Sequence, residues 1–117
     1  MALDVASCQI CGRIANDPKI TTTGTGKPIA RFTIATNRFV GLADGQTVKK
    51  PRFFLCEVKG DGRVKTIEKF LKVGSEILVV GELDQYESIV DGVKITNTKV
   101  IVRDFYFGKL KGQSDGK

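Results

Sequence analysis

The chain has no histidine and no tryptophan, one methionine, three prolines and three cysteines in 117 residues. Without histidine it lacks the side chain most often used as a general base near neutral pH. A zinc site would need a fourth ligand that the three cysteines cannot supply. "CQIC" matches the C-x-x-C pattern, but if residues 5–14 form a strand, Cys8 and Cys11 point to opposite faces. All three cysteines therefore read as free thiols, buried or half-buried, in a reducing compartment. "TGTGKP" lacks the G-x-x-x-x-G-K-[ST] spacing and no helix follows it, which argues against a nucleotide-phosphate loop. Glu57, Glu82 and Asp84 show no arrangement that predicts a shared catalytic site. No apolar run approaches the ~20 residues of a membrane span. "MALDVASCQI" carries an acid where a signal peptide is basic and has no long apolar stretch. The expectation is a cytoplasmic non-enzyme that needs no cofactor or metal and does not enter membranes.

What is abundant is positive charge. Nineteen Lys and Arg against thirteen Asp and Glu leave +6 and a pI near 9.4. In a chain long enough for one core, this excess favours a polyanionic partner. Nucleic acid comes ahead of membrane, because no segment forms a basic helix with bulky apolar residues opposite.

Alternation organises most of the chain. "VASCQICGRI" places Cys8, Ile10, Gly12 and Ile14 on one face of a first strand. "NDPKITTTGTGKPI" reads as a turn, a short Thr-rich extended piece and a Gly- and Pro-punctuated loop. "IARFTIATNRF" is a second strand whose inner face is Ala30, Phe32, Ile34 and Thr36. Its outer face, Arg31, Thr33, Ala35, Asn37 and Phe39, mixes charge, small residues and an aromatic. Residues 39–51 read as a long, mobile β-hairpin arm, basic toward its end.

"RFFLCEVKG" is a third strand with Phe54, Cys56 and Val58 inward and Phe53, Leu55, Glu57 and Lys59 outward. "DGRVKTIEKFLKVG" changes period: Val64, Ile67, Phe70 and Leu71 recur at helical spacing and Gly74 can close the helix. "SEILVVGELDQYESI" is a fourth strand, apolar on both faces over residues 77–80, with Gly81 suited to a bend or bulge. An Asp-Gly turn leads to a fifth strand, "KITNTKVIVRDFYF". Five strands with one short helix between the third and fourth predict an all-β OB-fold, a five-stranded Greek-key barrel, over residues 1–110. An SH3-like barrel, the structural alternative, would not normally place a helix there. Residues 111–117 form a short flexible tail.

Several of these segments resemble one family. "GRIANDPKI", "IARFTIATNRF" and "KFLKVGSEILVVGEL" are similar, in register over residues 5–108, to bacterial-type single-stranded DNA-binding proteins. The resemblance implies sequence-nonspecific binding and protection of single-stranded DNA in replication, recombination or repair. Bases would stack on aromatics while a basic groove tracks the phosphates. Its stacking positions fall on Phe39, Phe53 and Tyr86. Phosphate and base-edge contacts would come from Arg13, Arg31, Asn37, Arg38, Lys49, Lys50 and Arg52, with Thr33 and Ala35 keeping the floor low. Lys65, Lys69 and Lys72 read as a solvated helix face.

The family commonly has tryptophan at these stacking positions, so weaker stacking is expected here. A further family aromatic aligns with Lys59, which can meet phosphate but cannot stack. The resemblance also implies a homotetramer, with a dimer, as in the related primosomal replication protein, as the alternative. Bacterial members end in an acidic, Phe-tipped tail that recruits partner enzymes, whereas this sequence stops at "GQSDGK". Such an ending suits a chain that recruits no replication or recombination proteins in that manner, a short branch of phage or plasmid type, or a shortened chain. The rival functions are an OB-fold protein-interaction or primosome-type assembly module and an RNA-binding OB domain.

Overall fold

A computed structural model describes residues 3–109, so the tail expected at residues 111–117 lies outside the described residues. The chain runs β1 (Ser7–Ile14), β2 (Lys19–Thr22), β3 (Pro28–Gly41), β4 (Thr47–Lys59), α1 (Asp61–Phe70), β5 (Glu76–Val90) and β6 (Val93–Phe107). The Thr-rich piece is β2, paired with the start of β3. The other five strands close on one another: β1 pairs with β5, β5 with β6, β6 with β4, β4 with β3, and β3 back to β1. All are antiparallel except β4–β6, which is parallel. This ring, with its helix between β4 and β5, is the OB-fold expected from the sequence.

The inward residues of each strand form one core. Ile14, Phe32, Ile34, Cys56, Val58, Ile77, Val79, Val100 and Val102 are buried. Each large apolar side chain so buried contributes roughly 1.5–3 kcal/mol. Helix α1 covers the barrel with Val64 and Ile67, and Leu71 just after it is also buried. The helix is shorter than its apolar spacing suggests: at Leu71 the backbone turns extended. Phe70 consequently stays half exposed, tilted against Phe107 with ring centroids 6.1 Å apart. Arg63 fixes the helix to β6 by donating to the carbonyls of Val102 and Arg103 at 3.0 and 2.8 Å.

Two glycines let strands approach closely. A Cβ on Gly12 would lie 2.3 Å from the Ala35 carbonyl oxygen, and one on Gly81 would lie 2.1 Å from that of Ile101. Gly81 also sits at a register shift in β5–β6, where the sequence predicted a bulge.

Closure is brief at two seams, and this shapes the outer surface. β1 meets β3 only at Arg13–Ala35 and Ile14–Ile34, and β6 meets β4 only at Cys56–Val100 and Glu57–Ile101. Beyond these seams β3 and β4 continue together to Gly41 and Thr47 as a two-stranded arm. This is the β-hairpin arm expected over residues 39–51, with its strands paired right up to the turn at 42–46. β5 and β6 likewise project past the end of β1 to the Asp91–Gly92 turn, whose two positive φ angles match the expected hairpin type.

Candidate nucleic-acid interface

The β3–β4 register sets which side chains share the outward face. Arg31 lies opposite Glu57, Thr33 opposite Leu55, Ala35 opposite Phe53, Asn37 opposite Pro51 and Phe39 opposite Lys49. Arg13 of β1 flanks Ala35 on its other side, so a small side chain sits between an arginine and a phenylalanine. Phe39 is 70% exposed and Phe53 60%. The four-residue separation of Phe39 from Ala35, the partner of Phe53, puts the two rings about 13 Å apart along the arm. Flat apolar rings held in water beside cations can stack with bases while the cations meet phosphates.

Glu57 anchors the barrel end of this face. Its side chain is only 3% exposed, although strand alternation turns it outward, because three cations cover it. Arg31 Nε donates to Glu57 Oε2 at 2.9 Å, Lys99 Nζ lies 3.4 Å from the same oxygen, and Lys59 Nζ lies 4.0 Å from Oε1. Arg31 Nη1 also donates to the Thr21 hydroxyl of β2 at 3.2 Å. Burial by itself pushes the Glu57 carboxyl up. The Arg31 hydrogen bond and the charges of Lys99 and Arg31 outweigh it, holding the group below its ordinary value. Lys99 also lies 5.4 Å from the centre of the Tyr86 ring, linking the β5–β6 hairpin to the β3–β4 face.

A profile of the Single-strand binding protein family matches residues 5–108. The chain belongs to this family. A single-stranded DNA-binding protein of Borreliella burgdorferi is 32% identical over 88 residues, covering 75% of this chain and 57% of the relative. One from Fusobacterium nucleatum is 32% identical over 105 residues, covering 88% and 66%. One from Staphylococcus aureus strain Mu50 is 30% identical over 108 residues, covering 91% and 67%. The chain thus spans roughly three-fifths to two-thirds of the length of these relatives. Among solved structures, a Plasmodium falciparum SSB in complex with ssDNA superposes with a TM-score of 0.84 at 22% identity. That match covers 93% of this chain and 99% of the other, which supports the fold.

On this single-strand binding protein framework the sequence-predicted residues divide. Arg13, Arg31, Asn37, Phe39, Lys49, Phe53 and Lys59 share the outward face, and Tyr86, 39% exposed, reaches it through Lys99. Arg38, Lys50 and Arg52 do not belong to that set. They alternate with it, Arg38 opposite Lys50 and Arg52 opposite Thr36, and so occupy the other face of the arm. Arg31 and Lys59 are not simple surface cations either, since both lie against Glu57.

Sequence reasoning missed Lys99 and the role of Glu57. The signal for Lys99 was present, because alternation places Lys99 outward beside buried Val100. Only Lys59 among the partners of Glu57 is close in sequence; Arg31 and Lys99, the two that hydrogen-bond to it, lie 26 and 42 residues away in the chain. The cysteines also differ in part from expectation: Cys56 is buried and Cys8 half-buried, but Cys11 is exposed on the outer face of β1.

Proposed function

We propose that this chain binds single-stranded DNA without sequence preference and shields it during replication, recombination or repair. The observation that carries the reading is the outward β3–β4 face, where exposed Phe39 and Phe53 alternate with Arg13, Lys49 and small residues across three strands. Stacking on Phe39, Phe53 and Tyr86 would be indifferent to base identity, because every base has a π-face. Arg13, Arg31, Arg38, Asn37, Lys49, Lys50, Arg52 and Lys59 would supply phosphate and base-edge contacts from the two faces of the arm and the barrel seam. The protein acts by binding and uses no catalysis or cofactor.

A homotetramer working in the cytoplasm, with replication or recombination proteins as further partners, completes the proposal. Self-association is supported by the exposed apolar residues Ile89, Val90, Val93 and Ile95 at the β5–β6 hairpin, and by Leu78 and Val80, which stay half-buried in the single chain. A dimer is the alternative assembly. Fluorescence polarisation with oligo-dT, poly-U and duplex DNA across a salt series tests the function, and light scattering reads the mass. Tight oligo-dT binding with weak duplex binding is the expected result. Equal binding to duplex refutes the reading, tighter binding to poly-U transfers the site to RNA, and no binding at all leaves the face to a protein partner.

A further inference from the structure

Three cations converge on one carboxylate at the seam where β3, β4 and β6 meet. Arg31, Lys59 and Lys99 all lie within 4.0 Å of Glu57. The cluster therefore carries a net charge of +2, three positive groups less one negative. Its members differ in access: Glu57 is covered, while the Arg31 and Lys59 side chains are about half exposed. Among the described residues, the other outward cations Arg13 and Lys49 pair with no carboxylate. The face thus contains two kinds of phosphate donor, some free and some already bonded to an anion of the protein.

We infer that Glu57 is a built-in competitor of the DNA phosphate, which holds Arg31 and Lys99 in the unbound protein and must yield them to a strand crossing the seam. A phosphate oxygen and a carboxylate oxygen seek the same N–H donors, so the incoming phosphate replaces an internal partner. Each such exchange frees fewer salt ions than contact with a free lysine. The grip at the seam is accordingly weaker and less salt-dependent than its number of cations suggests. Lys99 is also the group lying against the Tyr86 ring. Its transfer to phosphate alters that contact and couples stacking at Tyr86 to the release of Glu57. The inference rests on the single-strand reading proposed above.

Glu57→Val is the informative variant. Valine suits a strand; the half-exposed Arg31 and Lys59 can turn to water once the acid is gone, while Lys99, 22% exposed, keeps the Tyr86 ring as a neighbour. Binding to oligo-dT is expected to tighten about fivefold at low salt, the size of one unit-charge interaction near 4 Å in a water-like medium. The slope of log K against log salt steepens by about 0.7, one added contact on a single strand. The difference fades near 1 M salt, where the screening length is about 3 Å. Glu57→Gln is expected to act in the same direction.

Unchanged or weaker binding in these variants, with wild type binding normally, overturns the inference and leaves Glu57 as a structural clamp. A wild-type chain that ignores oligo-dT instead overturns the reading beneath it. A measurement independent of mutant folding is the NMR signal of the Arg31 Nε–H. It should shift as oligo-dT is added to the wild-type protein, and a signal that stays fixed at saturation also overturns the inference.

Discussion

Replacing Phe53 by alanine removes a ring that is 60% exposed and lies cross-strand from Ala35. About two-fifths of the side chain's surface is buried and that burial is lost; full burial of such a side chain is worth roughly 1.5–3 kcal/mol, so the folded state loses about 1 kcal/mol. The expected fall in melting temperature is roughly 4 °C. Binding should suffer more. One stacked base is worth about 1–3 kcal/mol, which corresponds to a loss of roughly 5- to 150-fold in oligo-dT affinity.

The neighbouring residue is the control. Phe54 lies opposite Ile34 and packs on the core, so Phe54→Ala should cost about 3 kcal/mol of stability, the low end for a phenylalanine deletion. Its effect on affinity, measured well below its melting temperature, should be small. Fluorescence polarisation at fixed salt and thermal denaturation read the two quantities. A Phe53→Ala protein that binds oligo-dT as wild type does, or a Phe54→Ala protein that loses affinity while keeping its stability, would refute the assignment of the two faces.

Gly81→Ala should lower the melting temperature by roughly 10 °C or more, because its Cβ meets the Ile101 carbonyl at 2.1 Å and backbone on both strands must move. A differential scanning trace that matches wild type would contradict that packing. Glu57 titrates lower in the folded chain than in the unfolded one, where a glutamate has a pKa of about 4.3. Between the two values the unfolded state holds more protons, so this contribution is complete above the unfolded value and is lost as pH falls through the folded one. Urea midpoints plotted against pH should therefore decline less steeply on the acid side in Glu57→Val than in wild type. Burial pushes the Cys56 thiol up to about 12, with the charge of Cys8 adding to it. At pH 8, iodoacetamide should modify exposed Cys11 first and reach Cys56 only in denaturant, and intact-mass analysis counts the adducts. Native labelling of Cys56 at the rate of Cys11 would contradict its burial.

Local periodicity made much of the architecture legible. The alternation of Cys8, Ile10, Gly12 and Ile14, the change of period at Val64, and the Asp91–Gly92 turn each depend on neighbours in sequence, and the structure reproduces them. Reading residues 39–51 as a β-hairpin arm did not fix which of its cations share a face, because that depends on the pairing register. Once β3 and β4 pair through to Val40 and Val48, alternation applies to the arm as well, and Arg38, Lys50 and Arg52 separate from Phe39, Lys49 and Phe53. Pro51 is tolerated there because this part of the arm pairs with a single strand.

By itself, then, the sequence determined the strands, the helix, the basic charge and the outward aromatic residues, because period and composition act over a few residues. Only the tertiary structure decided that Glu57 lies beneath Arg31 and Lys99, and that Lys99 meets Tyr86. The Glu57–Lys99 contact arises where the barrel closes, between β4 and β6, which lie far apart in the chain. The Arg31–Glu57 and Lys99–Tyr86 contacts depend on the pairing registers of the β3–β4 and β5–β6 hairpins, and a register is fixed by the whole sheet and not by any local pattern.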